Sequence, residues 1–422
     1  MPKLNDALGM KVGSQPVKRV YKGSTVVLNG IENLALNPRF EGTGTATEIR
    51  RNLATRPTAV NGGWLSNNGA THVISLDATV NRRAGVSSRK CYYNGTAGVN
   101  VSVLSLYSVG SLTNASVDRL PVTAATAYTM SVYVRASYAN TRYQMSASFY
   151  DAGGVSLGSI STGILTTTLA ANTWGQLVQS NIVAPANSTT CFLNLALYTP
   201  SSQANGAQLT DFGWATDVLF EKSPAVMPYF DGGYNTDTDL VASWTGTANA
   251  SASVLKGSYV AGFTSGNTPI SSTQWSRSGT TSMRIISTYP TAGSGYVEVA
   301  TNTNPKGLLY GKTYTMSVVC RQIATSPAQK NITLLVGSGT VSSVTTIPNA
   351  AGEYDVNMTF TIPASGNWYL RMYNGGAMGT VDVWFDNLMI VEGTQAKPYK
   401  DGSNAGWVWS GTANNSSSYG LG

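Results

Sequence analysis

The sequence predicts an all-β protein of two tandem antiparallel modules, each a sandwich or a barrel, behind a short N-terminal β-hairpin arm. The first observation is a repeat. Ala84-Gly85-Val86-Ser87-Ser88 returns as Ser278-Gly279-Thr280-Thr281-Ser282, and Tyr128-Thr129-Met130-Ser131-Val132 returns letter for letter at Tyr314 to Val318. Trp214 and Pro228-Tyr229-Phe230-Asp231-Gly232 return as Trp384 and Pro398-Tyr399-Lys400-Asp401-Gly402, and Trp244 to Asn249 is echoed by Trp409 to Asn414. The offset only falls along the chain, as it does when two copies of one fold differ by shorter loops in the second. Its length far exceeds the period of solenoids and propellers. The second observation is apolar and polar residues alternating at period two between turns rich in Gly, Ser and Asn. The third is that no stretch pairs helical periodicity with caps.

Taken in order, residues 1–32 stand outside the repeat. Val17 to Leu28 reads as two short strands turned at Lys22-Gly23, an attachment arm too small to be stable without a partner. Asn33-Leu34-Ala35-Leu36-Asn37-Pro38 is echoed by Asn52-Leu53-Ala54-Thr55-Arg56-Pro57, so the start of a module appears twice and either run can be the true first strand. The first module is assigned to 33–222 and the second to 257–393. In the first, Tyr128 to Arg135 and Tyr143 to Tyr150 alternate cleanly and Asp151-Ala152-Gly153-Gly154 supplies turn chemistry; Tyr314 to Arg321 and Ile332 to Val336 are their counterparts. Residues 223–256 and 394–422 carry the recurring aromatic elements, and are read as an ordered connecting segment and an ordered C-terminal appendage.

Composition narrows the function classes. Only 11% of residues are charged, against about 25% in an average soluble domain. With 42% apolar residues in alternation, this describes a polar, non-ionic surface rather than disorder. The net charge of +7 is scattered, without the basic stripe or motif of a nucleic-acid binder, so no nucleic-acid partner is expected. No run of 18 apolar residues and no signal-peptide core are present, so neither membrane insertion nor export by that route is expected. Cys91, Cys191 and Cys320 have Ile285, Trp368 and Val134 as repeat counterparts. They read as small core hydrophobes, compatible with assembly in a reducing cytoplasm.

Two resemblances follow from particular residues. Asn33-Leu34-x-x-Asn37-Pro38-x-Phe40-Glu41, Ser278-Gly279-x-x-Ser282-Met283-Arg284-Ile285 and Val383 to Glu392 resemble carbohydrate-binding modules of the family 4 and 9 kind, over most of residues 51–393. That resemblance implies jelly-roll β-sandwiches, and a structural calcium that would map onto Glu41 and Asp386. The arm Val20-Tyr21-Lys22-Gly23-Ser24-Thr25, with module ends such as Pro228 to Gly232 and Trp244 to Ser253, resembles minor tail proteins of long-tailed phages that infect actinobacteria. This second resemblance implies a virion tail component assembled in the host cytoplasm and joined to other tail proteins through its arm. It further implies threefold self-association and a host cell-envelope glycan as target. The alternative is a non-catalytic carbohydrate-binding accessory chain of a polysaccharide-acting enzyme system.

Catalysis finds little footing. His72 is the sole histidine and no Gly-x-Ser-x-Gly elbow occurs. Asp211, Asp217, Asp382 and Asp386 are the carboxylates that a glycosidase pair would draw on. Aromatic rings are the better candidates, because sugars stack CH-rich faces on Trp and Tyr while their hydroxyls bond to polar side chains. Trp64 and Trp275 lie in loop-like sequence, and Trp174 and Trp368 precede or begin late strands; these four are the expected carbohydrate contacts. Trp214 and Trp384 share a repeat position on an apolar strand and read as core.

Overall fold

Alternating sequence becomes paired strand throughout both copies. A computed structural model describes residues 11–12, 15–16, 19–22, 25–35, 46–54, 72–93, 105–108, 119–198, 212–248, 251–258, 260, 264–265, 269–289, 295–304, 306–323, 330–337, 339–375, 379–401, 403–405, 407–409 and 418–421. Among the described residues there are strands and turns but no helix.

In the first copy one sheet runs Gly175–Val183, Ala127–Ala136, Phe212–Glu221, Ser88–Tyr93, His72–Asp77. The second runs Ser156–Ser161, Arg142–Tyr150, Thr190–Tyr198, Ser105–Ser108, with Leu165–Thr166 and Leu120–Pro121 as short additions. The second copy repeats both orders. Its first sheet is Gly352–Thr361, Thr313–Gln322, Gly379–Glu392, Ser282–Tyr289, Pro269–Ser272. Its second is Thr340–Ile347, Lys330–Val336, Trp368–Gly375, Gly295–Thr301, Thr264–Ser265. All pairings within these sheets whose register is resolved are antiparallel. The modules are therefore two β-sandwiches of one design, and the sequence repeat is a repeat of whole folds.

Period two explains the cores. Met130, Val132 and Val134 alternate toward one interior, where they meet Met145, Ala147, Phe149, Leu193 and Leu195 from the facing sheet. Met316, Val318 and Cys320 meet Ile332, Leu334, Trp368, Leu370 and Met372 in the other. Each large side chain so buried contributes about 1.5–3 kcal/mol. The three cysteines are buried and form no disulfide, as their apolar counterparts require, and burial pushes the Cys191 thiol pKa up.

The last strand of each module carries a bulge at the same repeat position. Register shifts opposite Ser131/Tyr133 and Ser317/Val319, where Asp217 and Asn387 take φ of 56° and 55°. Asp and Asn are the non-glycine residues that tolerate this left-handed conformation best.

The doubled start of a module resolves into one start for each. Leu53 donates its backbone N–H to Phe220 O at 2.7 Å and Ala54 is in the first core. Leu34 donates to Ile390 O at 2.9 Å, and Leu34 and Ala35 are in the second core. Phe220 and Ile390 are themselves repeat counterparts. The compact units are accordingly Glu48–Lys256, and Met1–Thr47 together with Gly257–Gly422. Leu34 and Ala35, which the sequence reading placed in the first module, pack with the second, and one module is inserted in the chain of the other.

The arm forms its hairpin, with Arg19–Lys22 against Thr25–Asn33 and Lys22 opposite Thr25. Its partner lies within the chain: Ser418–Leu421 pairs antiparallel along Gly30 to Asn33, and Trp407–Trp409 adds the next strand. The C-terminal appendage thus pairs with the continuation of the arm at Gly30 to Asn33, beyond the residues that pair within the hairpin.

Candidate functional site

The carboxylates expected for glycosidase chemistry are committed elsewhere. Asp217, fully buried, accepts from Arg83 Nη2 at 2.7 Å and pairs with Arg82. Asp382 takes a bidentate fork from Arg284, Nε at 2.7 Å and Nη2 at 2.8 Å. Asp386, fully buried, accepts backbone N–H groups from Arg277 at 2.6 Å, Ser278 at 2.9 Å and Asn387 at 2.7 Å. Asp211 lies outside the described residues.

The same contacts decide the fit of a calcium ion at Asp386. Calcium wants six to eight oxygens. Among the described residues no group of three or more His, Cys, Asp or Glu is placed to hold a metal, and the Asp386 oxygens already serve three amides. Glu41, the other residue of the expected pair, lies outside the described residues. The described donor set does not fit the ion.

The recurring Pro-Tyr-x-Asp-Gly element is a clip. Tyr229 Oη donates to Asp231 Oδ2 at 2.8 Å, and Asp231 Oδ1 accepts the Gly233 N–H at 2.8 Å. Tyr399, Asp401 and Ser403 repeat this at 2.6 and 2.8 Å. In the first module Arg83 reaches from the 82–86 turn to Asp231 at 2.8 Å, and its guanidinium lies 4.1 Å from the Tyr234 ring centre. Burial first, and then the Asp217 and Asp231 charges, push the Tyr229 phenol pKa well up. These groups hold the segment after the closing strand to its module.

The four tryptophans expected to touch sugar take different places. Trp64 lies outside the described residues. Trp368 is 1% exposed and inside the second core, so the expectation of a sugar contact is corrected: its ring is spent on packing against Leu370 and Met372. Trp174 is half-buried before Gly175–Val183, with its Nε1 unpartnered. Trp275 is half-buried, its carbonyl accepting from Ser282 Oγ at 2.5 Å and its ring 5.8 Å from the Arg321 guanidinium. Trp214 and Trp384 are buried, but on the outer side of the first sheet, since Ala215, Val383 and Phe385 are the ones that point inward. Cations cover them, Arg135 at 5.4 Å and Lys90 at 5.7 Å from Trp214 and Arg284 at 4.7 Å from Trp384, while their indoles donate to Asp77 and Ser272.

The outer side of the second sheet carries aromatic rings of another kind, phenylalanine and tyrosine rather than tryptophan. On Thr190–Tyr198, Cys191, Leu193 and Leu195 point inward, leaving Phe192, Asn194 and Tyr198 outward. Beside them Tyr198 Oη donates to Gln144 Oε1 at 3.0 Å, Gln144 Nε2 donates to Ser161 Oγ at 2.9 Å, and Ser148 and Ser159 share a hydroxyl bond of 2.7 Å. On Trp368–Gly375, Trp368, Leu370 and Met372 point inward, leaving Tyr369 and Arg371 outward. Ser146 is opposite Asn194, and Thr333 is opposite Arg371. Phe192 and Tyr369 thus share one place in the design, and so do Asn194 and Arg371. Both modules present a ring followed two residues on by a hydrogen-bonding side chain.

No protein-family model matches the chain, and no curated protein sequence matches it. Among solved structures it is similar to the N-terminal CBM22-1–CBM22-2 tandem domain of Paenibacillus barcinonensis Xyn10C, at 12% identity and a TM-score of 0.28, over 83% of this chain and 100% of that one. It is also similar to the C-terminal family 22 carbohydrate-binding module of Clostridium thermocellum Xyn10B, at 13% identity and TM-score 0.26, over 45% of this chain and 98% of that one. A third is the CBM22-2 xylan-binding domain of the Paenibacillus protein, at 11% identity and TM-score 0.26, over 41% and 98%. TM-scores this low leave ligand and site to the chain's own geometry.

Proposed function

We propose that this chain is a non-catalytic, glycan-recognising component of a phage virion, a minor tail protein at the tail tip or fibre that binds a host cell-envelope glycan during adsorption. The observation that carries the glycan reading is the shared outward position: Phe192 and Tyr369, each followed by a polar Asn194 or Arg371, on the solvent side of two sandwiches of one design. Rings offer stacking faces and the flanking amides, hydroxyls and guanidinium offer hydrogen bonds, which is what a sugar needs and what a reaction does not. Duplication suits weak sites used together, because several copies on one particle raise effective affinity by about 10² to 10⁴. The tail assignment rests on the resemblance of the hairpin arm and module ends to minor tail proteins, and threefold association with other tail proteins as partners is part of the same proposal.

The resemblance of the modules to carbohydrate-binding modules, which spans far more of the chain than the arm does, favours a second reading, a carbohydrate-binding accessory chain of a polysaccharide-acting system. Two measurements test the proposal. Antibody to the chain should decorate tail tips of virions, and the purified protein should sediment with host cell walls. Decoration without wall sedimentation would leave the modules as spacers. Wall sedimentation with no virion association would favour the accessory chain.

A further inference from the structure

The two outward sheets are not equivalent in how their polar groups are satisfied. In the first module they bond to one another through Gln144, Ser161 and Tyr198, and through Ser148 and Ser159. In the second no such network joins Asn331, Thr333 and Arg371 among the described residues. Thr333, only 2% exposed, has no partner for Oγ1, and neither Asn331 Oδ1 nor Arg371 Nε has one. Arg371 and Glu298 face each other across strands with side chains 19% and 12% exposed, but their nearest contact is 3.6 Å, too long for a hydrogen bond. Burial pushes the Glu298 pKa up, against the pull of Arg371. Tyr296 lies under the guanidinium at 3.8 Å and Tyr369 lies beside it at 5.6 Å.

Resting on the glycan-recognition reading, we infer that selectivity for neutral saccharides belongs to the second module, where Arg371 and Glu298 together take adjacent hydroxyls of a neutral sugar beside Tyr369. A buried guanidinium N–H left without an acceptor is costly, and a ligand hydroxyl that accepts from Arg371 Nε beside Glu298 recovers that cost. The pair selects its ligand by charge. An anionic sugar would face Glu298 and a cationic one Arg371, whereas a neutral diol can accept from the guanidinium through one oxygen and donate to the carboxylate through the other. Val341 and Val344, exposed at 53% each on the strand beside Lys330–Val336, stand opposite Leu335 and Thr333 and extend this surface with apolar area for CH faces. Their neighbours in the first module are the bonded serines at 159 and 161.

The test uses the full chain on a printed array of neutral pentose and hexose oligosaccharides, with uronate-containing and deoxy counterparts. Binding should favour neutral saccharides with adjacent hydroxyls, and Arg371→Lys, Glu298→Gln and Tyr369→Ala should each weaken it by about tenfold or more. Phe192→Ala and Asn194→Ala should lower overall avidity through the first module while leaving the preference for neutral saccharides unchanged. Arg371→Lys keeps the charge while losing the planar fork, so its melting temperature guards against reading misfolding as lost binding. Loss confined to Phe192→Ala and Asn194→Ala would overturn the assignment while the glycan reading stood. Preference for uronates would overturn the neutral-diol chemistry. A full chain that binds no saccharide would bring down the glycan reading and the assignment together.

Discussion

Asp217 and Asp386 secure one bulge with opposite chemistry. In the first module the carboxylate belongs to the bulge residue itself and guanidinium groups hold it; in the second it belongs to the residue before, and backbone amides hold it. Asp386→Ala would remove the shared acceptor of three part-buried backbone donors. The expected loss is about 1–3 kcal/mol, read as a lower denaturant midpoint of the second module alone. A chelator should leave that midpoint where it is, since the same amides occupy the oxygens that a calcium ion would need. Asp77 gives a pH signature to the first module. Burial opposes its ionisation, but hydrogen bonds from Thr79, the Trp214 indole and Val80 outweigh that and hold its pKa well below the carboxylate range. A depressed carboxylate stabilises the fold above its unfolded pKa of about 3.9 and loses that contribution as pH falls toward the folded value. Asp77→Asn should therefore melt below the wild type at neutral pH, with the gap closing steadily below about pH 4; a gap of constant size in acid would rule the carboxylate out as its source.

At the scale of elements, the clips explain why Pro-Tyr-x-Asp-Gly and the tryptophan after it recur together. A Cβ on Gly232 would stand 2.3 Å from the Trp244 ring, so the glycine is there to let the ring lie on the backbone. Gly232→Ala must displace Trp244, an overpacking cost of about 1–3 kcal/mol, and a shift in tryptophan emission with a lowered first-module melting temperature is the expected result. Much of this level was legible in the sequence. Tyr128 to Val132 and Tyr314 to Val318 fall on the equivalent central strands because alternation alone sets which side faces the core. The outward pair Tyr369 and Arg371 was legible by the same rule, given inward Trp368, Leu370 and Met372, but attention to tryptophan as the sugar-stacking residue hid it. Trp214 and Trp384 could not be placed from alternation, which puts them outside the core; what buries them is cations from neighbouring strands, a long-range pairing that no local pattern encodes.

At the scale of the molecule the two starts of a module, Asn33-Leu34-Ala35 and Asn52-Leu53-Ala54, are local copies, and only long-range pairing tells which module each one serves. Leu34 bonding to Ile390, and Thr25–Asn33 pairing with Ser418–Leu421, mean that one unit is continuous and the other is interrupted by it. Separability follows from that connectivity. Residues 48–256 contain every strand of the first module's two sheets and should unfold cooperatively when expressed alone. Residues 257–422 lack Leu34 and Ala35, which belong to the second core, and lack the strand that pairs with Ser418–Leu421. That fragment should be less stable than the same module in the full chain by about 2–5 kcal/mol, the range for losing a buried aliphatic side chain with its packing. Supplying residues 19–35 as a peptide should raise its melting temperature with peptide concentration, because a ligand that binds only the folded state stabilises by mass action. Equal stability of 257–422 with and without the peptide, matching the module in the full chain, would mean that the N-terminal strand is an ornament of the second module and that the arm is free to attach elsewhere.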